Sequence, residues 1–209
     1  MRSFAEYEYN ETFAATNISS VDIEIADPES NPPSLKEYCF FRTFADCPNL
    51  LEAYVSLKLG GMFCCSEMFN SCKSLEKISG YLQSSNDTSH TASACRSMFE
   101  NCTSLKSASQ LQLPVIVPIF GCYAMFRNCT SLYSCAYNNY GASITIHSFG
   151  CAYMYENCSS LIDTPIISGT LYQGSYNYAF RNCTSLYHPG QFYDVYIKMD
   201  QFEEAVGSS

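Results

Sequence analysis

The chain has 209 residues and a formal charge of −9, from 20 acidic and 11 basic side chains. No basic run or Lys/Arg stripe exists, which excludes the usual electrostatic footprint of nucleic acid, and no apolar stretch reaches the ~18 residues that a membrane helix needs. The first residues, MRSFAEYEYNE, lack the apolar core of a signal peptide, so the chain is read as not exported by that route, or as having lost a leader.

Taken in chain order, one word recurs. It reads TFADCPNL at 43–50, MFNSCKSL at 68–75, MFENCTSL at 98–105, MFRNCTSL at 125–132, MYENCSSL at 154–161 and AFRNCTSL at 179–186. Its cysteines are Cys47, Cys72, Cys102, Cys129, Cys158 and Cys183, at steps of 25, 30, 27, 29 and 25 residues. A period of that length marks a solenoid, in which each unit touches only its neighbours. A seventh, more divergent copy stands at the start, with Tyr9, Phe13 and Thr16 in the places of Phe40, Phe44 and Cys47. It begins an acidic region holding Glu6, Glu8, Glu11, Asp22, Glu24, Asp27 and Glu29 against Arg2 alone. A polar terminal unit is what caps such a stack.

Within each copy the apolar residues fall at i, i+3, i+4 and i+7, as in Cys95, Met98, Phe99 and Cys102. That spacing predicts a two-turn amphipathic helix, closed by the leucine three residues on (Leu75, Leu105, Leu132, Leu161, Leu186). Segments of strand character follow the leucines. Val21–Ala26, Ala53–Leu59, Ser143–His147 and Phe192–Met199 alternate or are rich in β-branched and aromatic residues, with Gly and Pro between them. The expected fold class is therefore an α/β solenoid of six to seven coils, with a parallel sheet on one face and short helices on the other. Residues 1–34 form an N-terminal acidic capping coil, 35–190 the repeats, and 191–209 a C-terminal cap strand and short helix, all in one continuous domain.

Thirteen cysteines invite three readings. Zinc needs close pairs such as CxxC, and i, i+7 on a helix separates the sulfurs by ~10 Å. Disulfides within a copy fail on the same distance, and disulfides between copies would need helices closer than the usual ~8–10 Å. Reduced core residues, packing as small hydrophobes, are the favoured reading, with Cys39, Cys64 and Cys135 off the pattern and expected to be the exposed thiols. A catalytic thiol needs a base and an orienting group. His90, His147 and His188 lie outside the word, so no catalytic, cofactor-binding or metal-binding residue is assigned. The NCT and NCS triplets at Asn101, Asn128, Asn157 and Asn182 match a glycosylation sequon, yet each asparagine directly precedes a stripe cysteine and is read as the left-handed residue that ends a helix.

From Asn101 to Gly190 the charged residues are Lys106, Arg127, Glu156, Asp163 and Arg181 alone, among ten tyrosines and many Ser, Thr and Asn. Tyr with Ser, Gly and Asn is the palette of antibody paratopes, while tyrosine also suits strands for reasons of packing. Tyr155 and Tyr176 fall on the inward stripe; Tyr137, Tyr140 and Tyr172 fall off it and are the candidate partner-binding residues.

The word MFxNCTSL, preceded by CY or CA at Cys122–Tyr123 and Cys151–Ala152, resembles the BspA-type leucine-rich repeats, whose CYxxMFxxCTSL variant occurs in gut bacteria and in phages that infect them. The resemblance covers roughly 35–190 and is closest at Cys95–Leu105 and Gly121–Leu132. The regular strand of the family has degenerated here to QLQLPVIVP and TPIISGTL. It implies a non-catalytic binding or adhesion module of a bacterial surface or phage virion, with a protein or surface-glycan ligand, no nucleic acid and no membrane span. The alternatives are a structural subunit that oligomerises or docks other proteins through a strand edge or terminal coil, and a thiol-dependent enzyme.

Overall fold

A computed structural model of the chain describes residues 5–24, 34–84, 91–136, 143–164, 167–186 and 192–193. All strand pairs are parallel. One sheet has the order β1 (Ser20–Glu24), β2 (Glu52–Lys58), β3 (Lys77–Gln83), β4 (Leu111–Gln112). The other has the order β5 (Ile116–Val117), β6 (Ile144–Ile146), β7 (Ile167–Leu171), β8 (Phe192–Tyr193). The expected strands at Val21, Ala53 and Ser143 lie where the alternation put them, and Ala53, Val55 and Leu57 point inward. The sheet divides within 107–117, where Pro114 separates β4 from β5. The Ser84 side chain spans the split: its Oγ accepts from Ile116 N at 2.9 Å and donates to Ile116 O at 3.0 Å.

The expected helices are absent from the described residues. Each copy of the word is instead a ribbon of successive tight turns, at 5–16, 36–47, 61–72, 91–102, 118–129, 147–158 and 172–183. Backbone φ is positive at every fourth residue, for example 59° at Ser93, 54° at Ser97 and 64° at Asn101, which no α-helix can contain. Hydrogen bonds alternate along the ribbon. Arg96, Met98, Glu100 and Cys102 donate three residues back, closing turns, while Ser93, Cys95, Ser97, Phe99 and Asn101 donate to Ile119, Gly121, Tyr123, Met125 and Arg127 of the next ribbon. The first ribbon obeys the same rule, with Tyr7, Tyr9, Glu11, Phe13 and Ala15 donating to Glu37, Cys39, Phe41, Thr43 and Ala45. A left-handed residue costs ~1–2 kcal/mol, and here it places the next residue's amide where a neighbouring ribbon can use it.

Period 4 and period 3.6 slip by less than about one residue over eight, so both bury the same stripe. The stripe itself is as expected: Cys95, Met98, Phe99, Cys102 and Leu105 are all buried, and so are their counterparts in the neighbouring ribbons. Phe13, Phe44, Phe69, Phe99, Phe126, Tyr155 and Phe180 stack in one ladder with ring centroids 5.3–5.6 Å apart. That is close to the spacing of strands rather than helices.

Strand-like spacing removes the helix-distance argument against disulfides between copies, but all thirteen thiols are free and those ending the word have another role. Each donates to the carbonyl of the stacked aromatic one ribbon back: Cys72 to Phe44, Cys102 to Phe69, Cys129 to Phe99, Cys158 to Phe126 and Cys183 to Tyr155, at 3.0–3.2 Å. Cysteine suits the position because it is small, apolar and still a weak donor. Thr16, in the cysteine place of the first ribbon, donates through its hydroxyl to Phe13 O at 2.7 Å. Of the three thiols expected to be exposed, Cys39 and Cys64 are fully buried, each next to a stripe residue on the inward side of its ribbon, and only Cys135 is half-buried. The sequon asparagines are left-handed, with φ 62–64°. They end no helix; their amides form a second ladder, Asn128 Nδ2 to Asn101 Oδ1, Asn157 to Asn128 and Asn182 to Asn157, at 2.7–2.8 Å.

Two strand glycines are obligatory. Gly80 in β3 and Gly169 in β7 have φ of 124° and 137°, and a Cβ there would lie 1.9 Å from Val55 O and 2.0 Å from Ile144 O. The expected C-terminal helix after Met199 lies outside the described residues.

Candidate functional site: an aromatic and arginine strip

The outward positions of the ribbons are the one just after each buried pair and the left-handed one that follows it. In the last three ribbons these positions hold aromatic rings. Phe120 stacks on Phe149 at 5.6 Å and meets Tyr123 edge-on at 5.7 Å. Tyr123, Tyr153 and Tyr178 continue the row at 5.3 and 5.2 Å. Two guanidinium groups lie over it: Arg96 is 5.0 Å from the Tyr123 centroid, and Arg181 is 5.6 Å from Tyr153 and 5.0 Å from Tyr178. Such contacts hold a cation against the negative face of a ring.

The strip is fixed from beneath. One position of the word alternates in sign down the stack, Glu100, Arg127, Glu156, Arg181. Arg127 Nε donates to Glu100 Oε1 at 2.6 Å and Arg181 Nε to Glu156 Oε1 at 2.7 Å. Both carboxylates are buried, so each needs its partner. The Glu156 carboxylate holds the Arg181 guanidinium above its ordinary range. Partial burial raises the Tyr153 phenol, and the neighbouring Tyr123 adds to it. These groups can present flat rings, hydroxyls and a fixed cation, which is binding chemistry.

Tyr172 is 48% exposed, its ring stacks on His147 at 5.0 Å, two residues before Phe149 in the chain, and its N donates to Ile146 O. Tyr137 and Tyr140 lie outside the described residues. Tyr155 and Tyr176 are buried, as their stripe positions require, and the Tyr155 hydroxyl accepts from Ala136 N at 3.2 Å. The helix reading overlooked Tyr123, Tyr153 and Tyr178. Aligning the copies on their cysteines would have shown them, six, five and five residues before Cys129, Cys158 and Cys183.

A second surface is a shallow groove of about 710 Å³ across β1–β3, lined by Asp22, Glu52, Tyr54, Lys77, Lys106 and Tyr133 among others. Its rim carries a salt bridge, Lys106 Nζ to Glu76 Oε2 at 2.7 Å, which holds the Glu76 carboxyl below its ordinary range. Among the described residues no cluster of three His, Cys, Asp or Glu could hold a metal, and no helix is long and apolar enough to cross a membrane.

No protein-family model matches the chain, and no curated protein matches it. Among solved structures, a leucine-rich cell surface protein from Faecalibacterium prausnitzii A2-165 aligns with 93% of this chain at 16% identity, with a TM-score of 0.35. The chain spans 36% of that protein's length. At that score, fold and function rest on this chain's own residues.

Proposed function

We propose that the chain is a leucine-rich-repeat solenoid acting as a non-catalytic binding module, and that its partner docks on the strip of Phe120, Tyr123, Phe149, Tyr153, Tyr178, Arg96 and Arg181. The carrying observation is that these rings and cations are ordered against one another on the outside of the stack. Tyrosine and arginine are the residues that dominate binding energy at interfaces, and pre-ordering lowers the entropy lost on association. Tyr172 extends this surface, and Tyr137 and Tyr140, in the same tyrosine-rich stretch, belong to it in this reading. Residues 1–34 serve as the first, acidic unit, 35–190 as the repeats and 191–209 as the closing segment of a single domain.

The resemblance to BspA-type repeats supports an adhesin or receptor-binding role at a bacterial surface or on a phage virion. The ligand favoured by the strip is a protein, with a surface glycan as the other case. With five charged residues between Asn101 and Gly190, binding depends on ring area and hydrogen bonds and tolerates salt. The test is binding of the fluorescently labelled chain to bacterial cells at ~0.1 and ~0.5 M salt. Joint serine substitution of Tyr123, Tyr153 and Tyr178, and separately of Tyr137, Tyr140 and Tyr172, should each weaken it at an unchanged melting temperature. Normal binding by both triple variants would sink the reading.

A further inference from the structure

The groove across β1–β3 measures about 710 Å³, within the ~300–1,000 Å³ that small-ligand sites take. Strand alternation decides what lines it. Val21, Ala53 and Ile78 point into the core, so Ser20, Asp22, Glu52, Tyr54, Lys77 and Ser79 point out. The strands are parallel and in register, so these outward residues form rows across them. One row is Ser20, Glu52, Lys77, Ser107 and Ser134; a second is Asp22, Tyr54 and Ser79. Beside them Glu76, Lys106 and Tyr133 follow one another on successive backbone hydrogen bonds.

The fold leaves most of these groups unused. Glu76 and Lys106 are joined at 2.7 Å. Asp22, Glu52 and Lys77 form no salt bridge among the described residues, although Glu52 and Lys77 are register partners. The Ser107 hydroxyl lies 3.0 Å from that of Ser134 and 2.9 Å from that of Ser109. Tyr54 and Tyr133 are 37% and 48% exposed, and among the described residues neither stacks on another ring. In the aromatic strip, by contrast, each ring packs on its neighbours. The groove therefore offers free acceptors, a free donor, hydroxyls and two unstacked rings, repeated at the ~4.8 Å spacing of paired strands.

We infer that this groove binds a neutral, extended, β-linked glycan that lies across the strands, one sugar to each strand. Sugar hydroxyls both donate and accept, so one chain can donate to Asp22 and Glu52 and accept from Lys77. Bonds to ionised partners are the stronger kind. The apolar C–H face of a pyranose packs on the Tyr54 and Tyr133 rings, which present an apolar body and a polar tip. An extended β-linked hexose chain advances by nearly the strand spacing per sugar, so the same contact recurs from strand to strand. An α-linked chain coils and loses the match. The lining carries three acids, Asp22, Glu52 and Glu76, against two bases, Lys77 and Lys106, which disfavours a polyanion. A peptide added as a strand would need an unpaired edge, and β2 and β3 are paired on both sides. The groove shares no residue with the aromatic strip, whose favoured ligand is a protein, and the inference does not depend on that strip.

The test titrates the full chain calorimetrically with the β-1,4-linked hexasaccharides of glucose, N-acetylglucosamine and mannose, and with α-1,4-linked maltohexaose. At least one β-linked chain should bind with a Kd of ~1 mM or tighter, and at least about tenfold more tightly than maltohexaose or its own disaccharide. Tyr54→Ser and Glu52→Ala should each weaken it by about tenfold. Both residues are exposed, so both variants should keep the parent melting temperature to within a few degrees. Joint serine substitution of Tyr123, Tyr153 and Tyr178 should leave this binding unchanged. Equal binding of maltohexaose, or no binding by any of the three β-linked chains, would overturn the proposal. So would sugar binding lost in the Tyr123, Tyr153 and Tyr178 variant and kept in Tyr54→Ser, since the sugar would then lie on the strip.

Discussion

Replacing Phe126 by alanine probes the stack at its centre. The ring is fully buried, with Phe99 at 5.5 Å on one side and Tyr155 at 5.4 Å on the other. Truncating a buried phenylalanine costs ~3–5 kcal/mol, and stacked pairs add ~0.5–1.5 kcal/mol each beyond buried area. Phe126 has two such pairs, so its loss belongs at the upper end, near ~5 kcal/mol. Phe13 has one described ring partner in the ladder and is 42% exposed. Full burial of a phenylalanine is worth ~1.5–3 kcal/mol, so Phe13→Ala should cost only ~1 kcal/mol. Urea unfolding followed by tyrosine fluorescence and circular dichroism gives both values. A cost below about 1 kcal/mol for Phe126, or equal costs at the two sites, would refute the continuous ladder.

The thiols give a second expectation. Burial pushes Cys72 and Cys183 from an ordinary 9.0 up to about 12 and raises Cys102, Cys129 and Cys158 as well. Each folded value lies above the unfolded one, so this stability is complete below pH ~9 and is lost as pH climbs towards 12; melting temperature should fall over that window, and at neutral pH a thiol reagent should reach at most Cys135 until the chain is denatured. Gly169→Ala should lower stability by more than ~2 kcal/mol, since its Cβ meets the Ile144 carbonyl and its φ is left-handed; an unchanged urea midpoint would show that β7 pairs differently. Asn157→Ala breaks the amide ladder on both sides, at 2.7 Å to Asn128 and 2.7 Å to Asn182, and should cost ~1–3 kcal/mol by thermal unfolding; an enzymatic glycosylation assay on the native chain should likewise leave Asn157 unmodified.

The repeat and its buried stripe were legible because side-chain burial repeats directly in sequence. Thr16 could be placed in the cysteine position of the first ribbon from spacing alone, and it sits 3.6 Å from Cys47 Sγ. The backbone of the word was not legible. Over eight residues the turn ribbon and the helix bury the same side chains, and the residues at positive φ include Phe63, Phe120, Tyr153 and Tyr178, which carry no left-handed signature. Asn101, Asn128, Asn157 and Asn182 did carry one and fitted a helix end equally well. The same confusion hid the outer strip, since a helix places Tyr123 and Tyr153 on a solvated face with no partner. It also made Cys39 and Cys64 look exposed, because the ribbon buries two adjacent residues in every four. The charge alternation at Glu100, Arg127, Glu156 and Arg181 was visible in the sequence but had meaning only once neighbouring copies were known to touch.

Scalar couplings across hydrogen bonds, measured by NMR on labelled protein, test the ribbon most directly. The account predicts a coupling from the Phe99 amide to the Met125 carbonyl, one copy further along, and from the Cys102 amide to the Phe99 carbonyl three residues back. A coupling from the Cys102 amide to the Met98 carbonyl, four residues back, would establish a helix and contradict it.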